Sequence, residues 1–127
     1  MTYFKTSDRT VSDVVERIAE KAKLAGFGVL HQYDFQQTLA SKGFPISRDC
    51  RVMELCNPAQ AAQVLGTDMQ LALALPCRIA IYEHDDRTVV GMIDPTDLMD
   101  LVSANPSVRE VANTVAPAMR MAIDAAV

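Results

Sequence analysis

Apolar positions along the chain follow two periods, and the switches between them divide it into helices and strands. Val11, Val14, Val15, Ile18 and Ala22 recur at helical spacing, with Thr10 placed to cap the helix, Asp13 in its first turn and Gly26 to end it. Ahead of that helix, Tyr3 to Lys5 suits a short strand. From Phe27 to Tyr33 the period drops to two, which predicts a strand with Phe27, Val29, His31 and Tyr33 on one face. Asp34 is placed to cap a short helix that stops at Gly43, and Lys42 to Asp49 reads as loop.

Cys50 to Cys56 predicts a central strand, because Val52, Met53 and Leu55 make it apolar on both faces. Three helix starts carry one type of dipeptide: Asn57-Pro58, Asp94-Pro95 and Asn105-Pro106. The Asn or Asp side chain accepts from orphan amides, and proline at the first helical position gives up no hydrogen bond. Asp68 can cap one further short helix of Met69, Leu71, Ala72 and Leu75, although so short an apolar run also fits a strand. Arg78 to His84 reads as a strand, with Cys77, Ile79 and Ile81 on one face and Arg78, Ala80 and Tyr82 on the other. A polar turn at His84 to Arg87 then leads into Thr88 to Ile93 as the second arm of a hairpin. Leu98, Met99, Leu101 and Val102 line the next helix. Val108, Val111, Ala112, Val115, Met119, Ala122 and Ile123 line the last, which Pro117 should kink or interrupt.

This order predicts an α+β fold: a single mostly antiparallel or mixed sheet of about five strands, helices packed on one face, and a C-terminal helical pair. No repeat, low-complexity tract or linker breaks the pattern, so residues 1–127 are expected to form a single domain. Val52 to Leu55 and Val89 to Ile93 are apolar on both sides, so the sheet face away from the helices needs cover. A second copy of the chain is the simplest cover, and a homodimer is expected.

Charge narrows the partners. The 12 Lys and Arg residues stand against 16 Asp and Glu, with no basic run, which leaves no electrostatic footprint for nucleic acid. No apolar run approaches the ~20 residues that span a bilayer, and the N-terminus lacks the apolar core of a signal peptide, so no membrane role and a cytoplasmic location are expected. The cysteines number 3, an odd count that makes no disulfide framework. Cys50, Cys56 and Cys77 are therefore expected to be free thiols.

Cys56 and Cys77 carry the candidate chemistry. Cys56 ends a strand just before a helix N-terminus, where dipole and free amides can raise thiolate content, and Cys77 begins the next long strand. If those strands run antiparallel, both sulfurs fall at one edge of the sheet. The competing role is packing, since free cysteine is among the most buried residue types. No metal site is read: the tight Cys spacing of zinc motifs is missing, and His31, on a strand face with Phe27, Val29 and Tyr33, suits a satisfied, partly buried histidine better than a ligand. His84, among Asp85, Asp86 and Arg87, reads as part of a solvated turn. No glycine-rich phosphate loop, His-Glu-x-x-His or Gly-x-Ser-x-Gly motif is present, and no cofactor is implied. Arg78 faces away from Cys77 on an apolar sheet face and needs a carboxylate, for which Glu54 is the candidate. Its two readings are a rim salt bridge and an anion anchor.

Leu55-Cys56-Asn57-Pro58, followed by Ala61-Ala62 and Leu65, and then Leu75-Pro76-Cys77-Arg78-Ile79-Ala80-Ile81-Tyr82-Glu83, resembles the domain-of-unknown-function 302 family. The likeness runs over nearly the whole chain, through Gly26-Phe27-Gly28-Val29 and Ile93-Asp94-Pro95 to the last helix. It implies a small dimeric α+β domain of bacterial or archaeal origin and carries no activity with it.

Two functional expectations follow. The first is a dimeric module, not an enzyme, that binds a small ligand or a partner protein. The alternative is a thiol-dependent enzyme or a redox or soft-metal sensor using Cys56 and Cys77. The candidate residues common to both are Cys56, Asn57, Cys77, Arg78, Glu54 and His31.

Overall fold

The structure, a computed structural model, describes residues 1–127. In chain order it comprises β1 (Thr2–Ser7), α1 (Val11–Leu24), β2 (Gly28–Asp34), α2 (Phe35–Ser41), β3 (Cys50–Cys56) and α3 (Pro58–Thr67). A short 3-10 segment (Met69–Leu73) follows, then β4 (Cys77–His84), β5 (Arg87–Ile93), α4 (Pro95–Val102) and α5 (Pro106–Ala126). The five strands form one sheet in the order β1-β5-β4-β3-β2, and every neighbouring pair is antiparallel. The expected α+β class and sheet are therefore present, without a parallel pair.

Local signals set the boundaries. Asn57 accepts from the Gln60 N–H, Asp94 from Thr96 N–H and Asn105 from Ser107 N–H, each followed by proline in the first turn. Gly26 takes φ +87 and closes α1: its N–H donates to the Lys23 carbonyl while the Phe27 N–H reaches back to Ala22. Gly43, at φ +85, ends α2 with the same pair of bonds to Ala40 and Leu39. The β4–β5 hairpin turns on Asp85 and Asp86, both at positive φ, between paired His84 and Arg87. The Leu75–Pro76 peptide is cis.

Burial follows strand alternation. Met53 and Leu55 on β3, Ile79 and Ile81 on β4, and Val90 and Met92 on β5 point to one side of the sheet and are buried. They meet Val14 and Ile18 of α1 and Val108, Ala112, Met119 and Ile123 of α5 in one core cluster. α1 and α5 also pack on each other, and α3 and α4 flank α5. The Arg17 side chain donates to the Ala125 and Ala126 carbonyls, satisfying two of the orphan acceptors at the end of α5.

Two local expectations fail, and a third loses one of its alternatives. α5 is not interrupted at Pro117 but runs unbroken from Pro106 to Ala126. Proline in a helix interior costs about 3 kcal/mol, and Val115, Ala116 and Met119 around it are buried, so packing of the apolar face outweighs that loss. In β2 the register shifts between Val29 and His31, which puts an extra residue, exposed Leu30, into the strand. Val29 then pairs with Leu55 on the helix side, while His31 and Tyr33 pair with Glu54 and Val52 on the opposite side. The single face predicted for Phe27, Val29, His31 and Tyr33 is thus split, and His31 is exposed rather than partly buried.

Candidate functional site

Two separate places hold the residues singled out from the sequence. Cys56, Asn57 and Cys77 lie at one end of the sheet, under α3. Glu54, Arg78 and His31 stand on the sheet face that no core helix covers. The sequence joined these six as one group; strand alternation divides them, because Cys77 and Arg78 are neighbours in β4 with opposite directions.

The first place is a cavity of about 20 Å³, room for one water-sized group. Antiparallel pairing creates it: Cys77 opens β4 opposite Leu55, and Cys56 is the next residue of β3, paired on its other side with Gly28. Both cysteines line the cavity. They sit at the end of two interior strands, not at a lateral edge of the sheet. Buried Leu55, Val64, Met99, Val111 and Val115 supply much of the apolar wall, and half-buried Asn57, Gln60 and Pro76 also line it. Asn57 is held twice: it caps α3, and its Nδ2 lies so near Gly26 that a Cβ there would come within 3.2 Å. Burial, with a smaller contribution from the charge of Cys56, pushes the Cys77 thiol up to about 11. That moves it away from the thiolate a nucleophile requires.

Gln60 is the one buried side-chain polar atom without a partner: its Oε1 makes no hydrogen bond. It stands three residues after the Asn57 cap, the spacing at which a glutamine can reach back to the cap's own amide, so the sequence did contain a signal for it. Met99 had none, since α4 is brought to the cavity only by its packing on α5 and the 3-10 segment.

The second place is the open sheet face. Thr2, Phe4, Val52, Ala80, Tyr82 and Ile93 surround a shallow trough of about 420 Å³ with Arg78 at its border. Gly91 forms part of the floor because the Phe4 ring lies directly over it; a Cβ at Gly91 would sit 2.3 Å from that ring. Glu54 and Arg78 are cross-strand partners but form no salt bridge. Hydrogen bonding to Glu54, chiefly, raises the Tyr33 hydroxyl's pKa, and the Arg78 guanidinium stands 6.0 Å from the Tyr33 ring. His31 meets Tyr33 edge-on with ring centroids 4.5 Å apart. His84 lies apart from both places, at the hairpin between Arg48 and Asp85.

A family model described as domain of unknown function DUF302 matches residues 3–126. The chain belongs to the DUF302 family. Its fold is similar to the crystal structure of an uncharacterised conserved DUF302 protein from Bacillus stearothermophilus, with a TM-score of 0.92 and 29% sequence identity. The match covers 99% of this chain and 98% of that one. Nothing among curated proteins matches the chain. No helix is long and apolar enough to cross a membrane.

Proposed function

We propose that this DUF302 chain is a single-domain, cytoplasmic, non-catalytic binding module that works as a homodimer, open sheet face against open sheet face. One observation carries the reading: helices cover one side of the sheet, while the other presents an apolar trough with Phe4 54% and Ile93 51% exposed. Large apolar side chains gathered on one exposed surface mark an interaction site. A second copy is the occupant that charge favours, because Arg78 and Glu54 stand side by side without pairing, and a two-fold axis offers each an opposite charge across the interface. The cleft left between the copies would hold a small acidic, apolar ligand, with Arg78 as its anion anchor. Sedimentation at micromolar concentration tests the assembly. The expected mass is twice 13.9 kDa, and Ile93→Glu, an exposed position, should return the chain to 13.9 kDa. A wild-type mass of 13.9 kDa overturns the reading.

A second reading, a thiol-based redox or soft-metal sensor in a reducing compartment, is supported by a different observation. Cys56 and Cys77, 21 residues apart in the chain, line one cavity. Thiol catalysis fits that cavity poorly, because burial holds Cys77 in its protonated form.

A further inference from the structure

We propose that the cavity beneath α3 binds one soft monovalent cation, Cu(I) or Ag(I), through the sulfurs of Cys56, Cys77 and Met99. This rests on the second reading above and gives it a ligand. Three sulfur-bearing residues from three different elements line a space with room for one water-sized group, and Met99 is only 2% exposed. Thiolate and thioether donors together select Cu(I) over the harder divalent ions. Zinc is disfavoured by the donors themselves: no group of three His, Cys, Asp or Glu side chains is placed to hold a metal, and zinc sites take three or four such ligands.

The unpartnered Gln60 oxygen is the second, independent pointer. A buried amide without a partner is costly, and this one borders the same cavity. Turned over, the amide presents its NH2 group to the sulfurs, where two thiolates around a single positive charge leave a net negative charge to be satisfied. The step balances without electron transfer. Two sulfur–metal bonds form, each thiol gives up one proton to solvent, and the thioether adds a third, neutral donor.

The test is anaerobic titration of the reduced, full-length protein with Cu(I) against a chromophoric Cu(I) chelator, and with Ag(I). One equivalent per chain is expected. Cys56→Ser should cut affinity about 100-fold or more, Met99→Leu about tenfold, and Cys50→Ser should leave it unchanged. X-ray absorption should count three sulfurs on the metal in the wild type and two in Met99→Leu. Circular dichroism of each variant separates lost binding from lost fold; Cys56 is only half-buried, so its variant serves if a buried Cys77 variant unfolds. Unchanged binding after replacing both Cys56 and Cys77, or no binding by the wild type, overturns the proposal. A small methanethiosulfonate distinguishes the two levels. Modification of Cys56 in the folded protein without cation binding defeats the metal site alone, whereas resistance to both defeats the thiol reading with it.

Discussion

Raising the pH past 9 should destabilise the protein through one buried thiol. Cys77 is 8% exposed and holds its proton to about 11 in the fold, against 9.0 for an unperturbed thiol. Between those values the unfolded chain loses the proton while the folded chain keeps it, so the folded state binds more protons and stability falls as pH rises. Below 9 both states are protonated and the contribution is fully present; above 11 it is gone. At about 1.4 kcal/mol for each pH unit of difference, the ceiling is about 3 kcal/mol. Tyr3, Tyr33 and Cys50 are raised as well and push the same way, so the wild type alone does not isolate the thiol. The measurement is urea unfolding under reductant from pH 8 to 11 for wild type and Cys77→Ala. Cys77→Ala starts lower, by the roughly 1 kcal/mol or more of a small buried truncation, and the gap should close or reverse as pH rises. A gap that stays constant across the window would show that Cys77 meets enough solvent to titrate normally, and its burial beneath α3 would be wrong.

Two further substitutions test the geometry around each place. Gly26→Ala puts a side chain at φ +87 and drives its Cβ toward the Asn57 amide, so it should cost about 1–2 kcal/mol in urea unfolding and also loosen the start of α3, visible as faster amide exchange there. Gly91→Ala should displace the Phe4 ring and cost about 1 kcal/mol, and in a Phe4→Ala background the same change should be neutral or stabilising. Additive effects of those two changes would mean that the ring does not lie over the glycine.

Most of the fold could be read because its boundaries rest on local chemistry. Asn57-Pro58, Asp94-Pro95 and Asn105-Pro106 mark helix starts whatever surrounds them, and Gly26 and Gly43 mark ends for the same reason. The bulge at Leu30 was hidden, since an alternating stretch looks the same whether or not its partner strand slips by one residue. Continuity through Pro117 was hidden too, because it is decided by burial of Val115 and Met119 against elements distant in sequence. The candidate residues showed the same division. Cys56 and Cys77 could be linked from antiparallel strands alone and Gln60 from its spacing to the Asn57 cap, but Met99 needed the packed helices. Arg78 and Glu54 were legible as neighbours, yet Tyr33, which lies beside both, reaches them through the bulged strand.

The strand order also governs how the chain can be assembled. β1 touches no strand but β5, so its residues have no hydrogen-bonding neighbour in the sheet until Thr88 to Ile93 have been made. α1 waits longer still, since its main helical contact is α5 and Arg17 bonds the carbonyls of Ala125 and Ala126. On a ribosome, β2, β3 and β4 can pair in the order they emerge, while β1 and α1 must wait for β5 and α5 before they can dock.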